Sequence, residues 1–284
     1  HASAGARDRG AGMPSLERLA YFPEQALESL AKFSSLILAG AKSPVAFFGY
    51  PKMPSSLVPE GCAAVTLADP AHDVEGALEA LAQALGASRE KPPAAALNRP
   101  AKPSGALNAA TVGAALAATM PENAIVMDEA ATTGLPFFLA SAGAPRHSYL
   151  ALTGGAIGQG LPCATGAAVA CPGRRVIAFQ ADGSAMYTVQ SLWTQARESL
   201  NVTTLLCNNR SYRILQVELA RSGVREPGPK ARSLTSLANP EIDWVRIARG
   251  MGVPGVRVDN AGALVTELER ALAEPGPNFI EMIL

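Results

Sequence analysis

The stretch that most constrains this chain is Val176-Ile177-Ala178-Phe179-Gln180-Ala181-Asp182-Gly183-Ser184. An apolar run ends there in Asp-Gly-Ser. Apolar residues at helical spacing follow at once: Met186, Val189, Leu192, Trp193 and Ala196. This spacing predicts a helix of about four turns with those side chains in the core. A second apolar run, Val202 to Leu206, then ends in Asn208-Asn209. Strand, crossover helix and strand make a βαβ unit, whose strands run parallel. Both strand C-termini then lie on one edge of the sheet. Asp182 and Asn209 are therefore expected side by side although 27 positions separate them. Ligands of open α/β sheets bind at that edge.

The alternation extends in both directions. A helix is expected near 108–119, ended by Pro121, then a strand at Ala124 to Met127 and a helix or turn after Thr132. The Gly-rich segment Thr153 to Gly160 leads into a helix of small residues, Cys163 to Ala170. Beyond Asn209 a helix is expected at Ile214 to Leu219, another at 243–251, a strand at Val256 to Val258, a helix at 262–273 and a last strand at Phe279 to Leu284. Such alternation implies an α/β fold, a parallel sheet with helices on both faces. Residues 23–86 read as part of a second α/β domain. They hold a helix from Pro23, strands at Leu36 to Ala39 and Ala64 to Leu67, and a helix capped by Asp73. Two or three strands are too few for an independent sheet. Residues 1–22 read as a linker or remnant, 87–106 as a Pro-rich linker and 107–284 as the main domain.

Composition narrows the function. Lys plus Arg and Asp plus Glu both number 24, so neither a basic face for nucleic acid nor an acidic tail is indicated. No apolar run reaches membrane-spanning length, about 18 residues. Cys62, Cys163, Cys171 and Cys207 form no CxxC pair and read as free thiols of a cytoplasmic protein. His1, His72 and His147 have no metal-ligand spacing. Arg221, Arg225, Lys230 and Arg232 read as a solvated Pro/Gly-containing loop rather than an anion site.

The residue types at the shared edge suit one kind of ligand. Asp182 offers an anionic oxygen and Asn209 an amide oxygen, the hard donors that Mg²⁺ accepts, and Mg²⁺ completes its shell with phosphate oxygens. Gly183 allows close backbone approach to a phosphate. Ser184 is expected at a helix N-cap, where free N–H groups favour an anion. Together they read as a site for a metal-bound diphosphate.

Asp182-Gly183-Ser184 followed by Asn208-Asn209 resembles the Gly-Asp-Gly…Asn-Asn signature of thiamin-diphosphate enzymes, with Ala181 in place of the leading Gly. Thr153 to Pro162 resembles the segment that cradles the aminopyrimidine in the pyruvate decarboxylase, benzoylformate decarboxylase and acetolactate synthase group. The stretch Asp128 to Thr133 resembles the loop whose hydroxyl reaches the diphosphate. This resemblance covers 106–284 and, more weakly, 23–86, which is similar to the last part of the group's middle domain.

The resemblance implies thiamin diphosphate and Mg²⁺ as cofactors. It implies Asp182, Asn209 and the backbone carbonyl of Ser211 as metal ligands, and Thr132, Gly183, Ser184 and Ile214 on the diphosphate. Gly155, Ala156 and Ile157 would meet the aminopyrimidine, Gly155 through its carbonyl and Ile157 as the wedge that bends the cofactor. It implies decarboxylation of a small 2-oxo acid, with aldehyde release or carboligation, in a homo-oligomer. The activating glutamate of the group belongs to a pyrimidine-binding domain, expected before residue 1. No catalytic residue is therefore assigned to this chain, and Glu129 is placed on the diphosphate side. The chain alone is expected to be inactive. One alternative is a nucleotide-binding oxidoreductase: Gly155, Gly158 and Gly160 precede a helix, and Asp182 ends the next strand about 20 residues on. Another is a non-catalytic module that binds the cofactor.

Overall fold

The structure of the chain is a computed structural model that describes residues 5–87 and 91–284. Expectations for 1–4 and 88–90, parts of the two linkers, lie outside the described residues. The described chain divides into two compact units, one of Leu16–Pro93 and one of Gly5–Ser15 with Ala94–Leu284.

The larger unit is built on a seven-stranded sheet. Its strands are β1 (Ala6–Arg9), β4 (Ile125–Glu129), β5 (His147–Ala151), β6 (Val176–Ala181), β7 (Val202–Asn208), β8 (Gly255–Val258) and β9 (Asn278–Ile283), in the order β1-β5-β4-β6-β7-β9-β8. All neighbours are parallel except β1, which pairs antiparallel with β5. The four central strands are buried on both faces and are mostly apolar for that reason, the exceptions being buried polar residues such as Glu129, Thr203 and Glu281.

Alternate residues feed two cores. Val126, Ile177, Phe179, Leu205 and Ile280 meet α3 (Ala109–Thr119), α4 (Gly134–Ala140) and α11 (Ala261–Ala273) through Leu116, Phe137 and Leu264. Met127, Ala178, Leu206 and Phe279 meet α5 (Gly160–Ala170), α7 (Ser191–Arg197) and α10 (Trp244–Gly250) through Leu161, Leu192 and Trp244. Each large side chain so buried contributes about 1.5–3 kcal/mol. Helices therefore cover both faces of the sheet, as the sequence implies.

Several sequence expectations are corrected. Residues 6–9, read as linker, form an edge strand. Ala-Arg-Asp-Arg has no apolar period, and polar contacts hold it instead. The Ser148 hydroxyl and Arg146 donate to Asp8 at 2.8 and 3.0 Å, and the Arg9 guanidinium lies 3.6 Å from the Phe138 ring centroid. Charged side chains are usual on edge strands.

The long helix after Ser184 is broken into α6 (Asp182–Ala185) and α7, joined by tight turns over 186–190. The break changes the helical phase, so Met186 and Trp193, expected in the core, are 44% and 54% exposed. Lys230 and Arg232 lie not in a loop but on α9 (Pro229–Thr235), which Pro229 opens, and Arg221 ends α8 (Arg213–Arg221).

In the smaller unit, β2 (Ser35–Ala39) and β3 (Ala63–Ala68) form a two-stranded parallel sheet beside α1 (Pro23–Leu30) and α2 (Val74–Ala84). Asp73 caps α2 by accepting from Gly76 N–H at 2.9 Å. Ile37 and Val65 are register partners and are 61% and 57% exposed. The buried core here is Ala26, Leu30 and Leu57.

Candidate functional site

Because β4, β5, β6 and β7 are parallel, their C-terminal loops emerge on one edge of the sheet. Residues 130–133 follow β4, residues 152–159 follow β5, Asp182 follows β6, and Asn209 to Tyr212 follow β7.

Asp182 is the first residue of α6 and is 1% exposed. Its Oδ1 accepts from Gly183 N–H at 2.9 Å, while Oδ2 is buried with no partner. Burial pushes its pKa up, and the backbone N–H groups of Gly183, Arg210, Ser211 and Asn209, which face the carboxylate, pull it back. The structure thus brings Asp182 to the 209–211 loop, as the βαβ reading expects.

The two asparagines divide their work. Asn208 is buried; its amide donates to Glu281 Oε1 at 2.7 Å and its oxygen accepts from Arg210 N–H at 3.1 Å. Asn209 Oδ1 accepts from the Ser211 N–H and hydroxyl at 3.0 and 3.1 Å. Between them Arg210 has φ 56°, a left-handed turn that a non-glycine residue adopts at a cost of about 1–3 kcal/mol. The loop is braced from behind, where Leu237 N–H donates to the Arg210 carbonyl at 2.7 Å and Tyr212 N–H to the Thr235 carbonyl at 2.9 Å.

The other expected residues fall as follows. Gly183 lies under the Tyr212 ring: a Cβ there would stand 2.5 Å from Tyr212 Cε1. Ser184 is not the N-cap of α6, which is Ala181; its hydroxyl points inward and donates to the Ala181 carbonyl at 3.1 Å. Thr132 is exposed in the turn after β4, next to Ala131 with φ 46°. Ile214 is half-buried in the first turn of α8, where the next two N–H groups, of Leu215 and Gln216, donate to the Tyr212 carbonyl. Gly155, Ala156 and Ile157 are exposed, Ile157 by 38%, and the Gly155 carbonyl accepts from Ile157 N–H at 3.1 Å.

One residue acts beyond its sequence reading. Glu129 ends β4, is 2% exposed, and takes the N–H groups of Gly158 (2.8 Å), Gln159 (3.1 Å) and Gly160 (2.8 Å). Burial raises its pKa and these donors oppose the rise. Two carboxylates, Asp128 and Glu129, ending a buried strand were the available signal. Its position also bears on the dinucleotide alternative. That motif needs the start of the helix after the glycines free for a pyrophosphate. In this chain an internal anion already fills the start of α5.

The residues fit a Mg²⁺-bound diphosphate. An orphaned, buried carboxylate oxygen at Asp182 faces the backbone of Asn209 to Ser211, a loop whose oxygens add few protein donors. Mg²⁺ is held in this way, with phosphate oxygens completing its shell. Among the described residues no group of three or more His, Cys, Asp or Glu is arranged to hold a metal. The four cysteines are free.

Residues 134–282 match the family described as thiamine pyrophosphate enzyme, C-terminal TPP binding domain. A Mycobacterium tuberculosis protein, provisionally named acetolactate synthase large subunit IlvX, is 49% identical over 98% of this chain and 54% of its own length. Benzoylformate decarboxylase of Pseudomonas aeruginosa is 33% identical over 74% of this chain and 39% of its length. Among solved structures, the thiamine diphosphate-dependent 4-hydroxybenzoylformate decarboxylase of Rhodococcus jostii superimposes with a TM-score of 0.75 at 26% identity. That superposition covers 93% of this chain and 51% of that one. The chain thus spans about half the length of the Mycobacterium tuberculosis and Rhodococcus jostii relatives.

Proposed function

The chain belongs to the thiamine pyrophosphate enzyme family, and on that premise we propose that it is the diphosphate- and Mg²⁺-binding part of an enzyme that decarboxylates a small 2-oxo acid. The carrying observation is the buried, partnerless Oδ2 of Asp182 beside the 209–211 loop. In this reading Asp182, Asn209 and the Ser211 carbonyl hold the metal. The Thr132 hydroxyl, the backbone at Gly183 and Ser184, and the N–H of Ile214 at the start of α8 receive the diphosphate. Gly155, Ala156 and Ile157 meet the aminopyrimidine, with Ile157 as the wedge against the second ring.

When bound, the cofactor supplies the carbon nucleophile and the electron sink that decarboxylation needs. This chain's residues bind and orient it, and none of them is assigned a proton transfer. Glu129 is committed to three backbone N–H groups, so the activating glutamate is expected from a pyrimidine-binding domain, in a homo-oligomer. The product is an aldehyde or a ligated ketol, in line with the decarboxylase and synthase names of the relatives. Free thiols favour a cytoplasmic setting, and no helix among the described residues is long and apolar enough to cross a membrane.

Calorimetry of thiamin diphosphate with and without Mg²⁺, on the chain and on Asp182→Ala, tests the reading. Mg²⁺-dependent binding that is lost in the variant is the expected result. Binding that ignores Mg²⁺, or that survives in the variant, overturns it.

A further inference from the structure

The loop after β5 carries the residues assigned to the aminopyrimidine, yet 153–157 are exposed and little is packed against them. Gly154, Gly155 and Gly158 all have positive φ, so the loop's own backbone preferences do not fix one path. Within the loop the Gln159 amide oxygen accepts from the Thr153 N–H and hydroxyl at 3.1 and 2.9 Å, which draws its two ends together without placing them. At its C-terminal end two contacts from outside the loop do that. The Glu129 carboxylate takes the N–H groups of Gly158 and Gln159 on Oε1 and that of Gly160 on Oε2. From the other side the Thr188 hydroxyl donates to the Gly158 carbonyl at 2.8 Å. Gly158 is thereby gripped at both its N–H and its C=O, by residues 29 and 30 positions away.

We propose that Glu129 is a positioning residue for the pyrimidine-binding loop, acting with Thr188 as a clamp on Gly158 that sets where Gly155 and Ile157 stand. The inference rests on the function proposed above and assigns Glu129 a role on the pyrimidine side rather than the diphosphate side. Space around the clamp supports it. A Cβ at Gly160 would overlap Gln180 Nε2 and lie 2.5 Å from Glu129 Oε2, so the carboxylate is enclosed and its geometry is fixed. The break between α6 and α7 has a consequence here, because the turns at 186–190 are what bring Thr188 to the loop. An amide in place of the carboxylate keeps the shape but can accept on one side only. The side once occupied by Oε2 or Oε1 would then face an N–H group donor to donor.

The test measures the affinity of the chain for two probes with Mg²⁺: thiamin diphosphate, and inorganic pyrophosphate, which has no pyrimidine. Glu129→Gln should weaken thiamin diphosphate about tenfold, the scale of one charge-assisted hydrogen bond, and leave pyrophosphate unchanged. Thr188→Val, which removes the other jaw from a different element, should show the same selectivity. Equal weakening of both probes, or no weakening of either, overturns the positioning role while leaving the cofactor assignment intact. Failure of the unmodified chain to bind either probe overturns the proposed function, and this inference with it.

Discussion

The Asn208 amide donates to Glu281 Oε1 at 2.7 Å, tying the end of β7 to the middle of β9 behind the 209–211 loop. Glu281 is wholly buried and also accepts from Arg257 Nε at 2.8 Å. Replacing Glu281 with Ala leaves the buried Asn208 amide without its acceptor, at a cost of about 1–3 kcal/mol. We expect a lower thermal midpoint together with weaker Mg²⁺-dependent binding of thiamin diphosphate. Unchanged cofactor affinity in Glu281→Ala would show that the loop does not depend on this tie.

Asp182 buries a carboxylate oxygen without a partner, and burial raises its pKa. Burial thus weighs against the charge more than the facing backbone N–H groups favour it, and a cation would relieve that cost. Asp182→Asn should therefore melt no lower than the unmodified chain in the absence of Mg²⁺. With Mg²⁺ and thiamin diphosphate at about a hundred times the Kd, the unmodified chain should gain about 2.7 kcal/mol and the variant nothing. Differential scanning fluorimetry distinguishes the outcomes, and an equal ligand-induced shift in both proteins would contradict the assignment.

Gly183 has no room for a side chain while Tyr212 lies over it: a Cβ would stand 2.5 Å from Cε1 and 2.7 Å from Cδ1. Gly183→Ala should destabilise by about 1–3 kcal/mol through overpacking. In a Tyr212→Ala background the same change should cost little. A double-mutant cycle by urea denaturation should then give a coupling of about 1–2 kcal/mol, and additive effects would refute the contact.

His147 is 1% exposed, with Nδ1–H donating to the Pro145 carbonyl at 2.8 Å. Burial holds its pKa below the ordinary value, and the nearby Arg9 acts in the same direction. An unfolded histidine titrates near about 6.5, so below that pH the unfolded chain takes up a proton that the native chain refuses. The contribution of His147 to stability is therefore full above about pH 6.5 and falls as the pH drops below it. Thermal midpoints of the chain should decline from about pH 7 to about pH 5. His147→Gln should show a flatter profile, whatever its midpoint at neutral pH, and parallel profiles would rule out this histidine as the source.

Much of the fold was legible because it follows local periods. Strands β4, β6, β7 and β9 are apolar on both sides rather than alternating because helices cover both faces of the sheet. The approach of Asp182 to the Asn209 loop follows from parallel strands alone. Strands β1 and β5 were missed because His147-Ser148-Tyr149 and Arg7-Asp8-Arg9 show no apolar period, though Tyr149 and His147 do turn inward.

The sequence by itself determined the inner parallel strands, most of the helices that flank them and the shared edge of Asp182 and Asn209, since these depend on periodicity and chain direction. Only the tertiary structure decided what each polar side chain does there. That Asn208 turns to Glu281 while Asn209 turns to Ser211, and that Ser184 bonds inward, depends on neighbours brought close by the packed sheet. So does the commitment of Glu129 to a loop 29 to 31 positions away. A buried carboxylate takes whatever donors surround it, and no pattern of spacing along the chain specifies which donors those will be.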